Sequence, residues 1–358
     1  MLKKIFTPGP TEVPHQVLDS IIKHKTYHRS DEFKHLHNQL AEKLKKIFFT
    51  EQYLLVLTSS GTGAMEAAVL NFCSQMDKLF YVNQGRFGER WGEICKEYGM
   101  NTTEIKVEPG NSLQIENLKG LDIEKADVFF LTHSETSTAT LTDIHELIKH
   151  IKNNSNALII VDGITSIGAL EFKMDEWNVD VVVAASQKGL MCPPGLSVIG
   201  FNERAKNKML INPVKRFYFD LRKDLHAKVN DLTTWTPSIG LFHGLDTAAD
   251  LILNEGIENR WKRVSSMAQY FRNRGIDLGF SLFSKYPADS LTALKMPHNI
   301  PSKILINRLF EKHGIVVANG QEELKDKIFR VSHMGDLKLE DFESLCDIIQ
   351  IEMSEIQN

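Results

Sequence analysis

Six short apolar runs, none of them alternating with polar residues, constrain the fold of this 358-residue chain more than any other feature. The runs are residues 53–57, 79–82, 128–131, 158–161, 181–184 and 196–201. Continuous apolar runs predict strands that are buried on both faces. Helical patterns lie between several of them, such as residues 31–49, where Phe33, Leu36 and Leu40 are spaced by three and four. We therefore predict an α/β fold with a mainly parallel sheet covered by helices on both faces.

The pattern changes after about residue 235, where long helical segments at 241–254 and 257–274 follow each other directly. A strand at 291–295, a helix at 302–313, two short strands and an amphipathic helix come next. This order is typical of a smaller α+β domain. The predicted organisation is an N-terminal segment, a large domain and a small C-terminal domain, at residues 1–20, 21–235 and 236–358.

Charge and cysteine content argue against several kinds of partner. The chain has 42 lysine and arginine residues against 46 acidic residues, a formal net charge of −4, without the basic field that nucleic acid binding requires. No run of about 18 uncharged apolar residues predicts a membrane span, and no signal-peptide pattern follows the first lysines. The four cysteines are far apart and form no C-x-x-C pair. We therefore expect a cytoplasmic protein with reduced thiols and no nucleic acid, membrane or metal partner.

Three features lie where strands of the predicted sheet end. Lys188 follows the run 181–184, Asp162 follows the run 158–161, and the small residues 59–63 stand between a strand and a helix. Ligands of parallel sheets bind beyond the carboxyl ends of the strands. A desolvated lysine there can act as a nucleophile or form a Schiff base, and small residues at a helix N-terminus suit a phosphate. An amine, an acid and a phosphate cradle together are what pyridoxal phosphate requires.

Several segments in order along the chain resemble the class V aminotransferases of the fold-type I pyridoxal-phosphate enzymes, in particular the alanine–glyoxylate and serine–pyruvate group. Residues 186–189 resemble the segment of the cofactor lysine, residues 161–166 that of the pyridinium partner, and residues 133–138 the segment beside the cofactor ring. The resemblance extends from residue 7 to residue 335, nearly the whole chain.

The resemblance implies a role for each matching residue around the cofactor. Lys188 would form the Schiff base and move the proton, and Asp162 would keep the pyridine nitrogen protonated. Phe87 would stack on the ring, and Thr136 would lie near the ring hydroxyl. The residues implied to hold the phosphate are Ser60, Gly61, Thr62 and Gln187.

The resemblance also implies a homodimer with shared active sites. Thr233 and Thr236 match a segment that reaches the phosphate of the neighbouring subunit, although a tyrosine is common at position 233. Arg330 matches the arginine that binds the substrate α-carboxylate through two parallel hydrogen bonds. His28 and Arg29 resemble a segment that lies near a distal anion of the substrate in phosphoserine and aminoethylphosphonate aminotransferases.

We therefore predict an aminotransferase that moves an amino group from a small amino acid to a 2-oxo acid such as glyoxylate or pyruvate. An aminotransferase for a phosphonate or phosphorylated amine is the first alternative. A sulfur-mobilising lyase is disfavoured because residues 329–336 contain no cysteine. A nicotinamide-dependent oxidoreductase is disfavoured by the missing dinucleotide fingerprint, and a noncatalytic binding protein by the joint presence of Lys188, Asp162 and Arg330.

Overall fold

The computed structural model describes residues 4–23 and 25–357; residues 1–3, 24 and 358 of the predicted segments lie outside the described residues. The strands are β1 (Lys4–Ile5), β2 (Tyr53–Leu57), β3 (Leu79–Asn83), β4 (Thr102–Lys106), β5 (Val128–Thr132), β6 (Ser134–Glu135), β7 (Thr140–Leu141), β8 (Leu158–Asp162), β9 (Val181–Ala185), β10 (Ser197–Phe201), β11 (Ser281–Leu282), β12 (Leu291–Lys295), β13 (Ile315–Val316), β14 (Ala318–Asn319) and β15 (Ile328–Ser332). Seven of them form the largest sheet, in the order β2-β10-β9-β8-β5-β3-β4.

The α-helices lie between and after these strands. They are α1 (His15–Lys23), α2 (Asp31–Phe48), α3 (Gly61–Phe72), α4 (Arg86–Glu97), α5 (Ile144–Asn154), α6 (Glu203–Ile211), α7 (Leu221–Lys228), α8 (Ile239–Glu255), α9 (Ile257–Asp277), α10 (Ser302–His313) and α11 (Leu339–Gln357). Among the described residues, no helix combines the length and the apolar character that crossing a membrane requires.

The seven-stranded sheet is mainly parallel. β3 pairs in parallel with β4 and β5, and β8 pairs in parallel with β5 and β9. β10 is antiparallel to both of its neighbours, β2 and β9. β2 consequently points in the same direction as the parallel strands, and its carboxyl end lies at the same edge as theirs.

Helices cover both faces of this sheet, which explains why the strand sequences do not alternate. In β8, Ile159 packs into one core cluster with Leu40 of α2, and Ile160 packs into the other with Trp91 of α4. Every residue of β5, β8, β9 and β10 is buried. The predicted α/β fold is thus confirmed.

A four-stranded antiparallel sheet, in the order β11-β12-β15-β14, forms the second layer with α9, α10 and α11. β1 pairs in parallel with β13, so the start of the chain is bound to this second sheet region. α8 follows residue 235 but packs with the seven-stranded sheet through Phe242 and Leu245. The predicted boundaries of the large domain, at residues 20 and 235, remain a prediction.

Candidate active site

Five of the predicted site residues follow strands of the seven-stranded sheet. Asp162 is the last residue of β8, and Lys188 follows β9 by three residues. Ser60, Phe87 and Thr136 follow β2, β3 and β5. Because these five strands point the same way, the topology gathers their carboxyl ends at one edge of the sheet.

A cavity of about 430 Å³ lies at this edge. Phe87, Thr136 and Lys188 line it from the large sheet, and Arg330 of β15 lines it from the four-stranded sheet. The rest of its lining comes from the start of the chain and from the segment after α10: Ile5, Thr7, Pro8, Gly9, Pro10, Val316, Ala318 and Gln321. Among the described lining residues, Lys188 and Arg330 alone carry charge.

The N-terminal segment holds the Lys188 side chain. Nζ of Lys188 donates a hydrogen bond to the Pro8 carbonyl at 2.7 Å. Gly9 has a φ of +148°, and a Cβ at that position would lie 2.2 Å from Nζ, so the close approach requires glycine. Burial, and then the positive charge of Arg330, lower the pKa of Lys188 to about 8, although Asp162 acts in the opposite direction. The amine therefore loses its proton more easily than an exposed lysine does.

Asp162 is a buried acid, 4% exposed. Burial raises its pKa to about 7; the Ile164 N–H, which donates to Oδ1 at 2.8 Å, lowers it, and the nearby carboxylate of Glu135 raises it further. A cation placed against this carboxylate would restore its ionised form. Asp162 is therefore suited to hold a cationic ring nitrogen.

Arg330 points its guanidinium into the cavity region from β15. Nε and Nη2 donate to the Asn319 carbonyl at 3.0 and 2.8 Å, and Nη1 donates to the Thr136 carbonyl at 2.9 Å. Burial lowers its pKa to about 10, so it stays charged at neutral pH. Of the five N–H donors of an arginine, these bonds use three. The remaining two can bind a carboxylate.

The N-terminus of α3 lies beside the stacking candidate Phe87. Ser60 is the N-cap of this helix, and Gly61 and Thr62 form its first turn. Thr62 Oγ1 accepts a hydrogen bond from Arg90 at 3.1 Å, and the Arg90 guanidinium lies 4.7 Å from the centre of the Phe87 ring. Free N–H groups, the helix dipole and a cation together suit an anion such as a phosphate.

Gln187 has a buried side-chain oxygen, Oε1, for which the described residues offer no hydrogen-bond partner. A buried amide oxygen without a partner costs free energy, on the order of 1–3 kcal/mol. Its position next to Lys188 fits the predicted contact with a bound group.

Four of the predicted site residues lie in loops that do not line the cavity of this chain. His28 and Arg29 form a turn before α2 and are half-buried and exposed, respectively. Thr233 donates to the Trp235 carbonyl at 2.8 Å, and Thr236 is exposed. These residues belong to surface loops of the single chain, and their assignment to the site stays a prediction.

Sequence reasoning missed two charged residues beside the cavity. Glu135 is fully buried and accepts hydrogen bonds at the start of α4. Arg90 is on α4 and contacts both Thr62 and Phe87. Arg90 follows Phe87 by three residues, which places both on one helix face and was the available signal. For Glu135 the signal was an acid within residues 134–138, where the other side chains are those of serine and threonine.

Comparison with known proteins identifies the family. The family model for class-V aminotransferases matches residues 5–334. The small subunit of a soluble hydrogenase from Synechococcus is 36% identical over 92% of this chain and 88% of its own length. L-aspartate–glyoxylate aminotransferase of Paracoccus denitrificans is 31% identical over 93% of this chain and 86% of its own. The structure of an alanine–glyoxylate aminotransferase from Nostoc has a TM-score of 0.91 and 28% identity, covering 98% of this chain and 95% of that one. The chain therefore belongs to the class-V aminotransferases, a family of pyridoxal-phosphate-dependent enzymes.

Proposed function

We propose that this aminotransferase moves the amino group of a small amino acid to glyoxylate or pyruvate, with pyridoxal phosphate held at Lys188. The observation that carries the proposal is the single cavity in which Lys188, Thr136, Phe87 and Arg330 meet. The Paracoccus relative and the Nostoc structure, both glyoxylate aminotransferases by name, support glyoxylate as the acceptor. These two names also favour a small amino acid as the amino donor over a phosphonate or a phosphorylated amine.

The residues around the cavity fit pyridoxal phosphate. The N-terminus of α3, from Ser60 to Thr62, would hold the phosphate, together with Gln187, whose buried Oε1 lacks a partner among the described residues. Asp162 would pair with the ring nitrogen, because burial raises its pKa to about 7 and a cation placed directly against the carboxylate would restore its ionised form. When bound, the cofactor supplies an electron sink for the electron pair released at the substrate Cα.

Lys188 would hold the cofactor through Nζ and afterwards act as the general base on the substrate. A base works best when its pKa lies near the working pH. Burial brings the pKa of Lys188 to about 8, so Nζ can take a proton from the substrate Cα and return it at neutral pH. The Pro8 carbonyl, which accepts a hydrogen bond from Nζ at 2.7 Å, would orient the free amine.

Arg330 would bind the α-carboxylate of the substrate with its two remaining N–H donors. The cavity wall near Arg330 contains Val316 and Ala318, with Gln321 as a neutral polar group. Apolar and neutral walls suit small side chains such as those of alanine and serine. The acidic side chain of aspartate would need a cation from outside this lining, a role predicted for Arg29.

We further propose a cytoplasmic homodimer. All four cysteines are buried and unpaired, which is typical of a reducing compartment. In a dimer, Thr233 and Thr236 would reach the phosphate of the neighbouring subunit. The exposed aromatic ring of Phe217, 73% accessible and 5.2 Å from the ring of Trp235, lies in the same surface region and favours a partner there.

The test is transamination by the purified protein. We expect alanine, serine or aspartate to convert the bound cofactor to its amine form, seen as a shift in the absorbance spectrum, and glyoxylate or pyruvate to reverse it. Chromatography of the products should show glycine or alanine formed in step with donor loss. Failure of every donor and acceptor pair, in protein that carries the cofactor, would disprove the proposed substrates.

A further inference from the structure

Glu135 is a fully buried acid that the proposed reaction does not use. Its two carboxylate oxygens accept hydrogen bonds from backbone N–H groups and from one hydroxyl. Oε2 accepts from the backbone N–H groups of Phe87 at 3.1 Å and Gly88 at 2.9 Å, and Oε1 accepts from the backbone N–H and the hydroxyl of Ser137 at 3.0 and 2.6 Å. The ionised carboxylate is the form that satisfies all these donors. Burial raises its pKa, whereas these hydrogen bonds lower it.

The N–H groups of Phe87 and Gly88 belong to the first turn of α4, which has no cap of its own. The N-cap residue is Gly85, and its position has no side-chain hydrogen bond. A Cβ on Gly85 would lie 2.4 Å from Ser137 Oγ and 2.7 Å from Glu135 Cδ. Glu135, 48 residues away from Phe87 in sequence, therefore takes the place of the local cap.

The segment 135–137 also connects this helix end to two other parts of the cavity. The Thr136 carbonyl accepts from Arg330 at 2.9 Å, and the Thr136 hydroxyl donates to Thr165 at 3.1 Å. Thr165 follows Asp162 by three residues and donates to the Ser134 carbonyl at 2.8 Å. A change at Glu135 would therefore affect the position of the Phe87 ring directly. It would affect Arg330 only indirectly, through Thr136.

We propose that Glu135 is the positioning residue that fixes the Phe87 ring against the cofactor by capping α4 from outside the helix. The inference rests on the proposed function, because it assigns Phe87 to the cofactor ring. A glutamine at position 135 would have the same shape, but its NH2 group cannot accept. At least one buried N–H of Phe87, Gly88 or Ser137 would lose its partner.

The experiment compares Glu135→Gln with Glu89→Gln, the same substitution at an acid in the first turn of α4 itself. The Glu89 side chain is 46% exposed and, among the described residues, forms an ion pair only with Arg86, at 3.6 Å. We expect Glu135→Gln to weaken cofactor binding by about 10- to 100-fold, measured by absorbance titration, and to reduce the circular dichroism of the bound cofactor. Glu89→Gln should change neither quantity. Equal effects of the two substitutions would overturn the proposal.

A double-variant cycle with Phe87→Ala separates positioning from general stability. If Glu135 acts through the Phe87 ring, Glu135→Gln should cost no more than about 2-fold in cofactor affinity once the ring is absent. Additive losses would instead show that Glu135 acts elsewhere and would refute the proposal. Should Glu135→Gln fail to fold, Ser137→Ala removes a donor to the same carboxylate and the acceptor of the Arg86 N–H, both of which belong to this cap of α4. It should lower the cofactor's dichroism, and an unchanged signal would refute the proposal.

These readouts need no substrate, so the two proposals fail separately. Wild-type protein that binds the cofactor without transaminating would disprove the proposed substrates and leave the cycle informative. Protein that transaminates and shows additive losses would disprove the role of Glu135 alone.

Discussion

The site residues fall into two groups that differ in what supports them. Asp162 and Arg330 are buried and Lys188 is half-buried, and all three are held by hydrogen bonds within this chain; we call these three residues the buried group. Arg29 and Thr236 lie in exposed loops and do not line the cavity. The fold of one chain therefore organises the buried group, whereas the role predicted for the exposed loops depends on the proposed second subunit. Substitutions should separate the two groups by size and kind of effect.

Burial also shifts the pKa values of two residues in the buried group. Burial lowers the pKa of Lys188 to about 8 and raises that of Asp162 to about 7, so each is moved away from the charge it carries in water. Residues perturbed in this way cluster at functional sites and reduce stability.

Replacing Lys188 by alanine should have the largest effect in the buried group. Without Nζ, neither covalent attachment of the cofactor nor proton transfer at the substrate Cα can occur, and we expect kcat to fall by at least about 10⁴-fold. Borohydride treatment followed by mass spectrometry should no longer find cofactor attached. Lys149→Ala, on the exposed face of α5, is the control. Residual activity within tenfold of wild type would contradict the assignment.

Replacing Arg330 by lysine should change substrate binding more than turnover. An ammonium keeps the charge but cannot form two parallel hydrogen bonds with a carboxylate. It would also leave the carbonyls of Asn319 and Thr136 with fewer donors. We expect KM for the amino donor to rise by about 10- to 100-fold, with a smaller change in kcat. A change confined to kcat would show that Arg330 acts elsewhere.

The fold, and the positions of Asp162 and Lys188 at the ends of strands, could be predicted from the sequence because they depend on patterns within short segments, whereas Arg330 was suggested only by the family resemblance. Apolar runs without alternation indicated a sheet covered on both faces, and topology then brings strand ends together. Asp162 and Lys188 were found as polar residues directly after such runs. Glu135 and Pro8 were missed because their contacts, to Phe87 and Lys188, join segments far apart in sequence. Only the folded chain shows which distant segments meet.

Asp162→Asn should make the cofactor-free protein more stable at high pH. The folded pKa is about 7 against an ordinary value of 3.8, so between these values the unfolded chain has lost a proton that the folded chain retains. Stability contributed by this group is present below about pH 4 and is lost as the pH rises through 7. Asparagine does not ionise, so the variant does not lose this stability as the pH rises. Its unfolding midpoint at pH 8 should therefore be higher than that of wild type by on the order of 5 °C. The gain should vanish near pH 4; a gain that is the same at every pH would contradict a raised pKa.

Arg29→Ala should have the smallest effect, and only on donors with a second acidic group. Arg29 is exposed and does not line the cavity of its own chain, and we expect it to approach a substrate from the neighbouring subunit of the proposed dimer. If it binds a distal anion there, kcat/KM for aspartate should fall by about 5- to 20-fold, the cost of one partly exposed charged hydrogen bond, while kcat/KM for alanine stays within about 2-fold. Lys25→Ala, four residues earlier and also exposed, is the matched control for loss of one positive charge. If Arg29→Ala and wild type have equal kcat/KM values for both donors, this loop lies outside the site. Substrate recognition would then depend on the buried group of one chain, in particular on Arg330.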